Sequence, residues 1–113
     1  PVIYYQCTGI REQIHETVQV GLYRIAQELL NNALKHADPK TINVQLIGHQ
    51  DTIVLMVEDD GNGFDKVHAR QKGLGIDNIR ARVRAIEGRL DIDSRQGIGT
   101  AVIVEAAYNT QSN

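Results

Sequence analysis

A chain of 113 residues, 42% hydrophobic and 23% charged, has the size and make-up of one globular domain and needs neither disulfides nor a structural metal to bury a core. A formal net charge of −2 argues against the basic face of a nucleic-acid binder, and the longest unbroken apolar run, Ile53–Val57, is far too short to span a membrane. The one cysteine, Cys7, leaves no internal disulfide and reads as a small apolar residue in a reducing compartment, while the four histidines are too scattered for zinc.

No basic segment followed by a long apolar one opens the chain, so no signal peptide is expected. Its start on Pro1 rather than Met suggests a piece of a longer protein, with any membrane segment upstream. The β-branched and aromatic run Val2-Ile-Tyr-Tyr-Gln6 predicts a strand. Leu22, Ile25, Ala26, Leu29, Leu30 and Ala33 then recur at helical spacing and predict a helix over 17–37, with Pro39 helping to end it. Ile42, Val44 and Leu46 alternate, Gly48–Asp51 forms a polar turn, and the apolar run 52–58 follows, which is a hairpin signature with one buried face. Residues 60–75 are rich in glycine and charge and read as a long loop. Ile76, Ile79, Val83 and Ile86 mark a second helix with Gly88 as its left-handed cap; a hairpin then pairs a strand beginning at Leu90 with 100–106 across Gln96–Gly99. This order predicts two layers, a mixed and mostly antiparallel sheet with helices on one face, and a single domain over 1–113.

Three glycine pairs carry the chemical information: Gly61 and Gly63 after Asp59, Gly73 and Gly75, and Gly97 and Gly99 before Thr100. Such pairs let a backbone turn tightly or approach a ligand closely. Neither of the first two completes a dinucleotide fingerprint, and no stretch ends as a P-loop does. Gly73-Leu74-Gly75 leads straight into the second helix, where unpaired amides and partial positive charge suit a phosphate. On the first helix Glu28, Asn32 and Lys35 fall at i, i+4 and i+7. They form either a solvated stripe or a site in which a neutral Asn oxygen holds Mg²⁺ and a lysine offsets phosphate charge. Asp59, at the end of an apolar run, is either a turn former or a buried acceptor for a ligand donor.

Taken together, these segments resemble the GHKL ATPases, the superfamily of histidine kinases, Hsp90, DNA gyrase and MutL. Glu28-Leu-Leu-Asn-Asn-Ala-Leu-Lys-His-Ala37 resembles the N box; Asp59-x-Gly61-x-Gly63 and Gly73-x-Gly75 resemble the two glycine boxes, and Gly97-x-Gly99-Thr100 the glycine-threonine box. Order and spacing agree over 18–106. The stretch Lys72–Arg82, with Glu87-Gly-Arg-Leu90 and only nine residues between Gly63 and Gly73, is similar to the short-lid sensor kinases that work with NarL/LuxR-type response regulators.

The resemblance implies the Bergerat α/β sandwich, ATP as ligand and Mg²⁺ as its companion. It implies that Asp59 accepts a hydrogen bond from the adenine amino group, supported by Thr100 directly or through water. It implies that Asn32 holds Mg²⁺, that Lys35 meets phosphate, that His36 and Gly61 and Gly63 belong to the ATP site, and that Gly73, Leu74 and Gly75 cradle the phosphate end. Glu28 stands where some members keep a residue that activates the attacking group; a place on the Mg²⁺ water shell or an ion pair with Lys35 are the alternatives. The implied reaction is transfer of the γ-phosphoryl group to a histidine on a separate dimerisation domain, in a cytoplasmic part of a homodimeric kinase.

The sequence departs from the pattern in lacking the phenylalanine box of longer-lid kinases, keeping only Phe64, and in placing Asp60 where Asn is common. No histidine has the acid partner of a phosphoacceptor motif, so the chain alone is expected to bind ATP without completing self-phosphorylation. An anti-sigma serine kinase of the same superfamily, or a non-catalytic ATP-binding module, are the other readings.

Overall fold

The helical period that begins before Leu22 forms α1, Glu16–Asn32, in a computed structural model that describes residues 1–11, 13–65 and 75–108. Val18, Leu22, Ile25 and Leu29 make its buried stripe. Its first turn is capped by the His15 imidazole, whose Nδ1 accepts from the Thr17 amide at 3.2 Å. At the far end the winding loosens into a π-helical turn, Ala33–Ala37, so the helical path covers the predicted span with a change of pitch. Asp38 ends it in the left-handed region (φ 48°), which Asp tolerates as a single residue, and Pro39 follows at once.

Five strands form one sheet: β1 (Val2–Thr8), β2 (Thr41–His49), β3 (Thr52–Asp59), β4 (Arg89–Arg95) and β5 (Gly99–Ala107), in the order β1-β2-β3-β5-β4. The β2–β3 hairpin keeps the predicted alternation, pairing Val44 with Val57 and Leu46 with Leu55. β5 enters between β3 and β4, antiparallel to both. β1 runs parallel to β2 along the edge, which makes the sheet mixed, and all seven of its residues are exposed. Between the two hairpins, α2 spans Ile76–Ala85 and buries Ile79 and Val83.

Gly88 does not take the left-handed position predicted for it. Glu87 does (φ 54°), while the Gly88 amide bonds the Val83 carbonyl at 2.9 Å and the Glu87 amide that of Arg84 at 2.9 Å. Gly88 is required by space instead, since a Cβ there would lie 2.9 Å from the Glu105 carbonyl oxygen.

Both helices cover one face. Their stripes meet Ile42, Val44, Ile53, Leu55, Val57, Ile92, Val102 and Val104, alternate residues of β2, β3, β4 and β5. Ile25, Ile42, Ile53 and Ile79 are fully buried, and truncating one to Ala should cost about 2–5 kcal/mol. The same alternation that buries Val57 and Val102 places Asp59 and Thr100 at the end of this face, under the C-terminal turns of α1. No helix among the described residues is long and apolar enough to cross a membrane.

Candidate functional site

β3 and β5 set Asp59 directly opposite Thr100, and β5 and β4 set Thr100 opposite Ser94. Three polar side chains thus form a row across three strands on the face the helices cover. The Ser94 and Thr100 hydroxyls are 2.7 Å apart. The Asp59 carboxylate accepts from the Gly61 amide at 2.8 Å and from the Thr100 backbone amide. Burial is the main reason its pKa is raised, with the charges of Asp60 and Glu58 adding to the rise and the two amide bonds working against it.

The glycine loop that follows is fixed from two sides. Toward α1, the Asn62 amide bonds the Ala37 carbonyl at 2.7 Å, and a Cβ on Gly61 would collide with that same carbonyl oxygen. Toward the β4–β5 turn, the Gly97 amide bonds the Asn62 carbonyl at 2.6 Å and the Phe64 amide bonds Ser94 Oγ at 2.8 Å. Gly63 takes φ 66° and packs against the Arg95 carbonyl, so its lack of a side chain is required twice over. Gly99, at φ 146°, packs likewise on the Asp59 carbonyl.

Leu29, Asn32, Ala33 and Ala37 from α1 and its π turn face Val57, Asp59, Thr100 and Val102 of the sheet, with Phe64 and Ile76 alongside. The space between them is about 40 Å³, little more than the roughly 30 Å³ that one water occupies in the liquid. A larger hollow, about 410 Å³, opens beside Asn43, Glu58, Asp60, Asp93 and Arg95. Asp59 and Thr100 line this hollow too, and four carboxylates against one guanidinium make it a poor host for a polyphosphate.

The predicted stripe on α1 is only partly assembled. Asn32 lines the pocket one turn beyond Glu28, but Lys35 and His36 lie on the π turn and are exposed. Bonding to the fifth residue winds the chain through a smaller angle per residue, so the 3.6-residue period that underlies the predicted stripe does not carry through Lys35. Glu28 reaches toward the start of α2: a Cβ on Gly75 would collide with its Oε1. Gly75 is the left-handed N-cap of α2 (φ 65°), so the Glu28 carboxylate lies at the positive end of that helix. Gly73 and Leu74 lie outside the described residues, so only Gly75 of the second glycine box is placed.

Two residues escaped the sequence reading. Asp60 is no passive substitute for Asn: its Oδ1 accepts from the Lys40 and Thr41 amides at 2.8 and 2.9 Å, and its Oδ2 from the Thr41 hydroxyl at 3.0 Å. These bonds, led by that of the Thr41 amide, lower its pKa. An Asn could hold the two amides on its one oxygen, but it would have to donate to the Thr41 hydroxyl instead of accepting from it, and it would carry no charge. Ser94 gave no local signal beyond its place in a predicted strand.

Residues 17–109 match the family of Histidine kinase-, DNA gyrase B-, and HSP90-like ATPases, and the chain belongs to that family, whose nucleotide is ATP. Among curated relatives it is 36% identical over 108 residues to the signal transduction histidine-protein kinase/phosphatase DegS of Bacillus subtilis, covering 91% of this chain and 28% of that protein. It is 44% identical over 89 residues to the sensor histidine kinase ComP of the same organism, covering 77% of this chain and 12% of that one. The fold superposes on the blue-light activated histidine kinase of Erythrobacter litoralis with a TM-score of 0.80 at 22% identity, over 97% of this chain and 36% of that chain. The chain thus spans about a quarter of DegS and an eighth of ComP.

Proposed function

We propose that this chain is the ATP-binding catalytic domain, over residues 1–113, of a two-component sensor histidine kinase. It would present the γ-phosphoryl group of ATP to a histidine on a separate dimerisation domain of the parent protein. The observation that carries the reading is the Asp59–Thr100 pair, held opposite Asn32 across one pocket and tied to a clamped glycine loop. An ionised Asp59 can only accept, which matches the adenine amino group and opposes the guanine carbonyl.

Asn32 offers a neutral oxygen on the helix side of the same pocket. Mg²⁺ binds through one or two protein groups together with phosphate oxygens and water, so Asn32 would hold it, and the ion would supply charge neutralisation along the phosphates. No group of three His, Cys, Asp or Glu side chains competes as a metal centre among the described residues. Lys35 and His36, exposed on the π turn, would reach the phosphates as cations. Gly61 and Gly63 would shape the loop over the base, and Gly73, Leu74 and Gly75 would bring backbone amides to the phosphate end. Glu28, at the α2 N-terminus, would orient or activate the attacking imidazole. The protein's task is positioning and charge stabilisation.

The relatives named as sensor and signal-transduction histidine kinases support a parent with a separate phosphoacceptor domain and a response regulator downstream. In this proposal the parent is homodimeric, its regulator is of NarL/LuxR type, it binds no nucleic acid, and this domain lies in the cytoplasm, with any anchor in the inner membrane. Calorimetry with Mg-ATP and Mg-GTP tests the nucleotide reading: equal affinity would overturn it. Incubation with labelled ATP should leave this chain unlabelled, and adding the parent's dimerisation domain should yield acid-labile phosphohistidine. A stable phosphoserine on a partner protein would favour the anti-sigma kinase instead.

A further inference from the structure

We propose that Ser94 is the positioning residue that fixes the polarity of the Thr100 hydroxyl, and through it the purine selectivity of the site. This inference rests on the ATP-site reading above. Ser94 faces the pocket side of β4, opposite Thr100, and its Oγ lies 2.7 Å from Thr100 Oγ1. The same Oγ accepts the Phe64 amide at 2.8 Å. A serine hydroxyl has one proton and two lone pairs. With one lone pair committed to Phe64, the arrangement that uses Ser94 fully has it donate its proton to Thr100. Thr100 then accepts from Ser94 and keeps its own proton for the pocket.

The pocket therefore offers a fixed pair on its sheet side: Asp59 as acceptor and the Thr100 hydroxyl as donor. Adenine has the complementary pair on one edge, an amino donor beside a ring-nitrogen acceptor. Hypoxanthine reverses both, with a carbonyl acceptor beside an N–H donor. Without Ser94 the Thr100 hydroxyl is free to rotate and can accept as well as donate, so discrimination between the two bases weakens. The row also links the base site to the glycine loop, because Asp59 holds the Gly61 amide and Ser94 holds the Phe64 amide.

The test is calorimetry on this chain with ATP, adenosine and ITP, for Ser94→Ala, Ser94→Thr, Thr100→Ala and the double variant. Ser94→Ala should weaken ATP and adenosine by a similar factor, about five- to tenfold, and narrow the ATP-to-ITP ratio. Ser94→Thr, which keeps the hydroxyl, should restore both. In the Thr100→Ala background, Ser94→Ala should cost no further affinity, because the two act as one unit. Additive losses, or an unchanged ATP-to-ITP ratio with only a lower melting temperature, would reduce Ser94 to a structural serine and overturn the inference. Asp59→Ala serves as the control: if it leaves ATP binding intact, the ATP-site reading falls; if it abolishes binding while Ser94→Ala is silent, only the role of Ser94 falls.

Discussion

The amide of Gly61 donates to Oδ1 of Asp59 at 2.8 Å, so the first glycine of the loop orients the carboxylate that precedes it. One oxygen of Asp59 is turned to the backbone, and the carboxylate keeps acceptor capacity for the pocket. The acidic residue and the glycine of this motif are therefore one structural unit. Asp59 needs the turn to aim it, and the turn needs an acceptor for its amide.

That unit makes Asp59→Asn a sharper probe than Asp59→Ala. Asn keeps an oxygen for the Gly61 amide, so the loop should hold its shape. Its NH₂ group then faces the pocket and meets the adenine amino group donor to donor. ATP affinity should fall at least as far as in Asp59→Ala, roughly ten- to a hundredfold, or about 1.5–3 kcal/mol, with little change in melting temperature. Equal binding of ATP by wild type and Asp59→Asn would show that this carboxylate does not read the base.

Asp59 and Asp60 should give opposite responses to pH. Asp59 has a raised pKa, chiefly from burial, so the folded state holds its proton more tightly than the unfolded chain. Its contribution to stability is therefore favourable at acid pH and is lost as pH rises above the usual carboxylate range through the raised value. Asp60 has a lowered pKa, so its contribution is present above the ordinary value and is lost as pH falls through the lowered one. Adenosine affinity should decline on acidification through the Asp59 transition, earlier than for an ordinary carboxylate. Asp60→Asn removes a charge that raises the Asp59 pKa, and should move that decline to lower pH. Adenosine titrations across acid pH, with and without the substitution, check the sign.

Gly61→Ala should be costly for a steric reason. The added methyl would run into the Ala37 carbonyl and lie 2.7 Å from the Ala37 Cβ, both parts of the helix end rather than a flexible side-chain tip. Either the loop or the π turn must move, at about 1–3 kcal/mol. Because Ala37 and Asp59 line one pocket, ATP affinity should fall together with the melting temperature. Retained stability and binding would mean that the loop is looser than its hydrogen bonds suggest.

Local patterns in the sequence reached most of this fold. The 3.6-residue period of Leu22, Ile25 and Leu29 and the alternation of Ile42 and Val44 both follow from which residues must be buried, and both are seen. The parallel pairing of β1 was not legible, because Val2–Thr8 is exposed throughout and its partner lies more than thirty positions away. The π turn was hidden for another reason: Ala33–Ala37 suits α- or π-winding equally, and the docking of Asn62 on Ala37 belongs to tertiary structure. Asp60 and Ser94 act through bonds to residues 19 and 30 positions away, which no local motif encodes.

Asn32→Ala separates phosphate and metal binding from base binding. Asn32 is half-buried on α1, on the helix side of the pocket, whereas Asp59 lies across from it on the sheet. If Asn32 holds Mg²⁺ against the phosphates, its loss should weaken the Mg²⁺-dependent part of ATP affinity and nearly abolish phosphoryl transfer in the full-length kinase. Adenosine, which has no phosphate, should bind almost as before. Asp59→Ala should instead weaken ATP, ADP and adenosine alike, because all three share the base. The fold should tolerate Asn32→Ala, since Ala is the better helix former by some tenths of a kcal/mol. Circular dichroism and a melting curve separate loss of fold from loss of function. Titrations of ATP with and without Mg²⁺, set beside adenosine, give the decisive comparison. Equal losses for ATP and adenosine would make Asn32 a structural residue of the pocket wall and remove the metal from this site.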